Sequence, residues 1–228
     1  MSEDPKVSYV LPTHNRVEWV AESIQGLLQQ TVKEVEVIVV DDASDDGSLE
    51  LLEWFVSRDP RVKLIVNQKN MGAGESRTIG HKAARAPIIG VTDSDDFSST
   101  DRTEKILNWF KENPQSELVN FGYVAVGYNN EVLEEFPGLP FDEKLFKDTG
   151  GIVHFSNPTV AVKRESVLQV PYRKEQDGKT DDYQFVEDWI KAGKKIDFCP
   201  EIIVGHRTLP SSIMAAKRGF RPEWAVKR

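Results

Sequence analysis

Three carboxylates stand within four residues, at Asp93, Asp95 and Asp96, directly after an apolar run at 88–92. The β-branched residues of this run predict a buried strand, and ligands of open α/β sheets bind at the carboxyl ends of the strands. Like charges this close repel one another unless solvent screens them or a cation lies among them. The cluster therefore indicates either a cation site or an acidic, solvated turn before the next helix.

Two acidic pairs elsewhere in the chain have similar positions. Asp41 and Asp42 follow a second apolar run at 35–40, so they also stand at the end of a predicted strand. Asp181 and Asp182 begin a predicted helix with an apolar stripe. An Asp at this place is typical of a helix N-terminus, where it caps the helix and interacts favourably with its dipole. A carboxylate is equally suited to general base catalysis, so both interpretations stay open.

The composition is that of a globular protein: 228 residues, of which 39% are hydrophobic and 29% charged. The net charge of −8 disfavours nucleic acid and other polyanionic partners. Cys199 is the sole cysteine, so no intramolecular disulfide is possible, which suits a reducing compartment. The acidic N-terminus resembles neither a signal peptide nor a spanning helix. We therefore expect a cytoplasmic protein with no transmembrane segment, and with at most peripheral membrane contact.

Four predicted strands in the first half alternate with short amphipathic helices. This alternation predicts a mainly parallel, doubly wound sheet with helices on both faces. The strands are expected at 7–11, 35–40, 62–66 and 88–92.

The second half predicts a mixed or antiparallel arrangement. A strand, turn and strand are expected over 118–132, because Asn129 and Asn130 tolerate left-handed backbone conformations. Residues 136–151 show no clear period and predict a long loop. Further strands are expected at 157–162, 196–198 and 202–204.

Four segments, in this order, resemble the inverting nucleotide-sugar glycosyltransferases of family 2, which have the GT-A fold. They are 7–16 (VSYVLPTHNR), 37–48 (VIVVDDASDDGS), 70–77 (NMGAGESR) and 92–96 (TDSDD). The second half resembles the family more loosely, through 157–164, Asp181-Asp182 and 205–207.

The resemblance implies one GT-A domain over 1–228, with a Rossmann-like, mainly parallel central sheet and a mixed or antiparallel C-terminal half. Residues 1–112 would bind the nucleotide sugar, 113–210 would hold the acceptor and the catalytic base, and 211–228 would be a basic tail.

The resemblance also implies the residues that bind the donor. The first βα turn would place backbone groups and a helix N-terminus beside the nucleotide, although it is also typical of a simple connection. Asp42 would bind the base and ribose, and Arg77 would face the diphosphate unless it forms a surface ion pair. The expected donor-binding residues are Pro12, Thr13, Asn15, Arg16, Asp42, Arg77, Asp93 and Ser94.

By the same resemblance, Asp93-Ser94-Asp95 is the DxD motif of the family. Asp95 would bind a divalent cation, Mn²⁺ or Mg²⁺, that neutralises the departing diphosphate. Asp93 would serve the ribose or a metal-bound water, Asp96 would support the cluster, and His206 is a candidate further ligand. His14 and His81 are expected to be ordinary polar residues of a loop or helix.

Asp182 is the candidate catalytic base, because the second position of the family's acidic pair normally has this role. The pair departs from the commoner Glu-Asp form, so Asp181 stays an alternative. The implied activity is metal-dependent, inverting transfer of a sugar, expected from a UDP-sugar, to the hydroxyl of a glycan, a lipid-linked sugar or another acceptor. A catalytically silent nucleotide-sugar-binding module and a nucleotidyltransferase are the alternatives.

Overall fold

The computed structural model describes residues 4–148, 155–174 and 180–208. In its first half, strands and helices alternate as predicted. The elements are β1 (Val7–Thr13), α1 (Val20–Leu28), β2 (Val35–Asp41), α2 (Ser48–Arg58), β3 (Val62–Val66), α3 (Ala73–Ala83), β4 (Ile88–Val91), β5 (Phe97–Ser98) and α4 (Arg102–Glu112).

The second half contains fewer helices and longer strands. Its elements are β6 (Leu118–Val126), β7 (Val132–Phe136), α5 (Glu143–Asp148), a 3₁₀ turn (Asn157–Thr159), β8 (Val160–Lys163), α6 (Arg164–Gln169), α7 (Asp181–Lys191) and β9 (Asp197–Arg207).

The nine strands of the described residues form one sheet in the order β3-β2-β1-β4-β8-β6-β9-β5, with β7 paired to β6. The strands β3, β2, β1 and β4 are parallel. Beyond β4 the pairing is mixed, because β8 is antiparallel to both β4 and β6, whereas β9 is parallel to β6. The predicted mainly parallel first half and mixed second half are confirmed.

Two apolar clusters cover the two faces of the sheet. In β2, Val37 and Val39 belong to the cluster beneath α1, while Ile38 and Val40 belong to the other cluster, which includes Trp189 of α7. Every residue of β1 and β2 is buried, because helices pack on both sides. The carboxyl ends of these strands are thus rigidly placed.

The predicted loop at 136–151 is wrong in part. β7 continues to Phe136, and α5 forms a six-residue helix at Glu143–Asp148. Its buried Phe146 stacks on Tyr183 at a ring-centroid distance of 4.8 Å. The helix is stabilised by this tertiary contact and is too short to show a helical period in the sequence. Residues 149–151 lie outside the described chain.

The two short strands expected at 196–198 and 202–204 are one continuous strand, β9. Pairing with β6 continues across Pro200 through shifts of register, which local sequence patterns do not reveal. Gly205 lies against Phe97, where an added Cβ would come within 2.2 Å of the ring. His206 therefore lies within a strand and does not follow one. The strand expected at 157–162 likewise starts as a 3₁₀ turn and is extended from Val160.

Within the described residues, no helix is long and apolar enough to cross a membrane. The predicted basic tail at 211–228 lies outside the described chain, and the division into three functional parts stays a prediction.

At the opposite end of the sheet from the acidic clusters, Glu36 is a buried carboxylate with four hydrogen-bond donors. Ser8 Oγ and Arg85 N donate to Oε1 at 2.6 Å each, Lys63 Nζ donates to Oε2 at 2.8 Å, and Arg85 Nε donates to Oε2 at 3.0 Å. Burial alone raises the pKa of Glu36, but the hydrogen bonds outweigh it and lower the pKa to about 2. The carboxylate joins β1, β2, β3 and the segment before β4.

We predict that Glu36→Gln lowers the free energy of unfolding by about 3 kcal/mol at neutral pH. Because the folded pKa lies below the unfolded one, this contribution is present above about pH 4.5 and is lost as the pH falls toward 2. Urea unfolding of both proteins at a series of pH values measures the difference. Glu53→Gln, on the exposed face of α2, is the control and should change little. A pH-independent difference between Glu36→Gln and the wild type would contradict the prediction.

Candidate active site

The β1–α1 and β2–α2 loops are joined by hydrogen bonds. Asn15, at a left-handed φ of 52°, donates from its backbone N to Ser44 Oγ at 3.0 Å. Its side chain exchanges two hydrogen bonds with Asp45, at 2.8 and 2.9 Å. Arg16 N donates to Ser48 Oγ at 3.1 Å. These contacts fix the turn that follows Pro12 and Thr13, which are both buried at the end of β1.

Asp46 has a purely local role at the start of α2. It accepts hydrogen bonds from the backbone N and the Oγ of Ser48, at 2.9 and 2.6 Å, and from Val17 N at 3.0 Å. It thus satisfies backbone donors at the helix start.

Asp42 is already satisfied by protein donors. Its carboxylate accepts from Asn67 Nδ2 at 2.7 Å, from Met71 N at 2.9 Å and from Gly72 N at 2.8 Å. It therefore organises the loop before α3, and its assignment to the nucleotide stays a prediction.

Asp41, for which no separate role was predicted, uses only one of its two carboxylate oxygens in a hydrogen bond among the described residues. Its Oδ2 accepts from Ser44 N at 3.1 Å, whereas its buried Oδ1 has no hydrogen-bond partner among the described residues. Thr13, its neighbour in the β1–β2 pairing, has a buried Oγ1 in the same condition. Buried polar atoms are normally paired, so these two are candidates for contact with a ligand.

The Asp93–Asp96 turn connects β4 to β5. Asp96 is fully buried and accepts from His206 Nδ1 at 2.9 Å and from Arg207 N at 2.9 Å. Ser94 is buried within the turn. Burial, followed by the charges of Asp96 and Asp93, raises the pKa of Asp95 to about 6.

The positive charges near Asp95 compensate it only in part. Among the described residues, Arg16 Nε lies 3.6 Å from Asp95 Oδ2, and the charge of His206 also lowers the pKa of Asp95. Of the three carboxylates in the turn, Asp95 is the one whose ionisation a further cation would relieve.

His206 is charged at neutral pH in this arrangement. Burial alone lowers its pKa, but the carboxylate of Asp96, with Asp93 and Asp95, raises the pKa to about 9. The contact through Nδ1 leaves Nε2 as the ring nitrogen with which a metal ion could bond. Binding there requires the loss of a proton.

No group of three or more His, Cys, Asp and Glu side chains within 4–148, 155–174 and 180–208 is arranged to hold a metal ion. The donor chemistry of Asp95 and His206 nevertheless suits a cation shared with a ligand. Hard divalent cations at nucleotide sites use one or two carboxylates and complete their coordination with phosphate oxygens and water. Their assignment as ligands stays a prediction.

Arg77 lies between the DxD turn and the start of α7. Its Nη2 donates to Asp93 Oδ1 at 2.6 Å and its Nη1 contacts Asp181 Oδ2. Burial disfavours the charge, but Asp181 and Asp93 raise the pKa of Arg77 above its ordinary value. The alternative of a surface ion pair is wrong, since the residue is only 5% exposed. Its assignment to the diphosphate stays a prediction.

The two residues of the acidic pair have different surroundings. Asp181 is buried, and burial followed by the charges of Asp182 and Asp93 raises its pKa against the opposing effect of Arg77. Asp182 is partly exposed and accepts from Tyr183 N at 2.7 Å and from Thr180 Oγ1. This contact suits a first-turn acid of a helix, and the exposure suits a base that meets a substrate.

Neither His14 nor His81 is assigned a role in the site, and the fourth histidine, His154, lies outside the described residues. His14 is exposed. His81 is buried edge-on to Tyr172, with ring centroids 5.6 Å apart, and burial followed by the charge of Arg77 lowers its pKa to about 3. It is a neutral packing residue, as expected except for its burial.

Arg102 was also missed in the sequence. Its guanidinium is fully buried beneath the DxD turn and donates to Val91 O at 2.6 Å, Pro158 O at 2.9 Å and Ser98 Oγ at 2.9 Å. A cation in the first turn of a helix opposes the helix dipole, and this was the available signal. Its positive charge partly offsets the carboxylates above it.

The fold matches that of solved GT-A glycosyltransferase structures. One is TarS 1-349 of S. aureus in complex with UDP-GlcNAc, with a TM-score of 0.72 and 19% identity over 92% of this chain. Another is the mannosyltransferase PcManGT of Pyrobaculum calidifontis in complex with GDP-Man and Mn²⁺, with a TM-score of 0.68 and 18% identity over 95% of this chain. The chain spans 61% of each of these two.

Residues 8–170 match the family model described as glycosyl transferase family 2, so the chain belongs to that family. It is 27% identical to a putative teichuronic acid biosynthesis glycosyltransferase, TuaG, of Bacillus subtilis over 98% of this chain and 88% of TuaG. It is 29% identical to an uncharacterized glycosyltransferase of Haemophilus influenzae over 84% of this chain and 74% of the relative. The predicted family, the GT-A fold and the class of enzyme are confirmed.

We predict that Arg102→Met lowers the free energy of unfolding by about 2–4 kcal/mol, because Val91 O and Pro158 O lose their buried donor and the carboxylates of the turn lose a compensating charge. Arg102→Lys is the matched variant, which keeps the charge and should lose less. Denaturant unfolding compares the three proteins. Equal stability of Arg102→Met and the wild type would show that the guanidinium does not support the turn.

Proposed function

We propose that this protein is an inverting, metal-dependent glycosyltransferase that moves a sugar from a nucleotide-diphosphate sugar to an acceptor hydroxyl. One observation carries the proposal: Arg77 contacts both Asp93 of the DxD turn and Asp181 of the acidic pair. The proposed donor site therefore lies close to the start of α7, where Asp182, the candidate base, follows Asp181. The complexes of structural neighbours with UDP-GlcNAc and with GDP-Man and Mn²⁺ support a nucleotide-sugar donor. A UDP-sugar is the donor that we expect.

The nucleotide would lie across the carboxyl ends of β1, β2 and β4. The fixed turn of Pro12, Thr13, Asn15 and Arg16 offers backbone groups and the start of α1. The free oxygens of Asp41 and Thr13 accompany Asp42 at the expected position of base and ribose. A carboxylate there accepts hydrogen bonds from imino groups of a base or from ribose hydroxyls.

Asp93 and Ser94 would approach the ribose, and Asp95 with His206 Nε2 would hold a divalent cation against the diphosphate. Such a cation neutralises the charge that develops on the leaving diphosphate. Asp96 holds the imidazole of His206 through Nδ1, which fixes the ring and leaves Nε2 for a metal ion.

Asp182 is the proposed general base. The acceptor oxygen attacks the anomeric carbon from the face opposite the diphosphate, and the bond from that carbon to the diphosphate oxygen breaks. The acceptor proton passes to the Asp182 carboxylate, while the bonding electron pair leaves with the nucleoside diphosphate. Asp181, paired with Arg77, is less suited to accept this proton.

The acceptor would be a glycan, a lipid-linked sugar or another hydroxyl compound. A cytoplasmic location and peripheral membrane contact stay predictions, as does the absence of nucleic-acid binding.

We predict that Asp182→Asn lowers the rate of transfer at least about a hundredfold, because the amide cannot accept the acceptor proton. Donor binding should change little, since Asp182 does not contact the DxD turn. A screen of UDP- and GDP-sugars with Mn²⁺, read by release of nucleoside diphosphate and by calorimetry, measures both quantities.

Asp188→Asn, on the same helix, is the matched control and should retain transfer. Near wild-type transfer by Asp182→Asn would overturn the assignment of the base. Donor binding without transfer in the wild type would instead support a silent binding module, and release of pyrophosphate from a nucleoside triphosphate would support a nucleotidyltransferase.

A further inference from the structure

We propose that Arg77 is a positioning residue that fixes the first turn of α7 relative to Asp93, and that it is not a ligand of the diphosphate. Asp181 and Asn157 act through it. This inference rests on the proposed function, because the turn that Arg77 fixes carries the proposed base, Asp182.

Protein groups already contact the guanidinium of Arg77 at each nitrogen. A guanidinium has five N–H groups. Nη2 donates to Asp93 and Nη1 contacts Asp181. With its amide oxygen facing Arg77, Asn157 places that oxygen 3.1, 3.2 and 3.3 Å from Nη1, Nη2 and Nε. An oxygen so nearly equidistant from the three nitrogens lies over the face of the guanidinium and compensates its positive charge. Each terminal nitrogen thus contacts a protein carboxylate, and one face of the group is covered by Asn157.

Aromatic and polar side chains enclose the guanidinium of Arg77. The ring of Tyr172 covers Arg77, with the Cζ of Arg77 5.6 Å from the ring centroid. In the same amide orientation, Asn157 donates to the Tyr172 hydroxyl at 2.5 Å. Tyr172 also stacks on Phe185 of α7, with centroids 4.0 Å apart and planes 4° from parallel. The arginine is therefore enclosed by groups that belong to, or pack on, the helix that it positions.

Helix α3 lies very close to the start of α7 and to the segment before it. A Cβ at Gly74 would lie 2.2 Å from Arg173 O and 2.8 Å from the Cβ of Asp181. Thr78 Oγ1 donates to Tyr172 O at 2.8 Å. The helix that carries Arg77 thus packs closely against the backbone of Tyr172 and Arg173 and against the side chain of Asp181.

The electrostatics explain why a cation is needed here. Asp181 experiences the charges of Asp93 and Asp182, which both oppose its ionisation, and Arg77 is the group that favours it. Without the cation, the carboxylates repel one another and the start of α7 moves away from the DxD turn. A displacement of about 1 Å at a reacting group can lower a rate about a hundredfold.

The first test separates a positioning role from diphosphate binding. Asp181→Asn should lower kcat about a hundredfold and should change the KM for the donor by less than about threefold, since Arg77 and Asp93 remain paired. Asp181→Glu, which keeps the charge, should recover part of kcat, and Asp188→Asn is the control. For Arg77→Lys, UDP affinity with Mn²⁺ should stay within about threefold of the wild type. A loss above about tenfold would show that the guanidinium binds the diphosphate.

The second test does not depend on activity. Asp181→Asn should lower the thermal unfolding midpoint of the wild type. In an Arg77→Met background it should instead leave the midpoint unchanged or raise it, because Asp181 then faces only like charges. An equal lowering of the midpoint in both backgrounds would show that Arg77 does not hold Asp181 in place. If Arg77→Met does not fold, Arg77→Lys replaces it and the lowering should be intermediate.

The two proposals can fail separately. If the wild type transfers no sugar from any donor, the proposed function is contradicted. The thermal unfolding of the Asp181 and Arg77 variants would still test whether Arg77 holds Asp181 in place. A wild type that transfers sugar, with Asp181→Asn equally active, removes the positioning role alone.

Discussion

Repulsion among three closely spaced carboxylates at the carboxyl end of β4 is the constraint on which the rest of the structure depends. Asp93, Asp95 and Asp96 lie within one turn, Asp96 is buried and the other two are partly buried, so their ionisation requires positive charge close by. The fold supplies it from three directions. Arg102 lies beneath the turn, Arg77 reaches it from α3, and the charged His206 of β9 lies against Asp96. Two of these groups come from helices of the first half, α3 and α4, and the third comes from β9 of the second half.

The three carboxylates of the turn are compensated unequally by nearby positive charge, and this inequality gives the site its chemistry. Asp93 accepts a hydrogen bond from Arg77, which also contacts Asp181, and Asp96 accepts from His206 and a backbone N–H. Asp95 instead has Arg16 at 3.6 Å and the charge of His206, with no hydrogen bond from either of them within the described residues. A raised pKa at one carboxylate among paired ones is typical of a functional position. The same arginine that balances the donor side also places α7, so charge balance and the position of the proposed base have one physical cause.

The sequence predicted the parallel half well because β1 and β2 are buried on both faces and therefore appear as mainly apolar runs, in which Ser8 and Glu36 hydrogen-bond to each other. It missed β5, which has two residues, and it divided β9 at Pro200, because pairing with distant strands stabilises both. The acidic residues of the site were found from their place at strand and helix ends. The roles of Asp41, Arg102 and Arg77 were not, because they follow from burial and from contacts between residues far apart in the chain.

The central claim is that Asp95 holds a divalent cation against the diphosphate of a nucleotide. Anomalous diffraction from crystals grown with Mn²⁺ and UDP tests it most directly, because manganese can be located independently of any assumed ligand. The account predicts one strong anomalous peak within about 2.2 Å of an Asp95 oxygen and in contact with diphosphate oxygens, and no such peak in Asp95→Ala crystals. UDP bound at these strand ends with no manganese near Asp95 would contradict it.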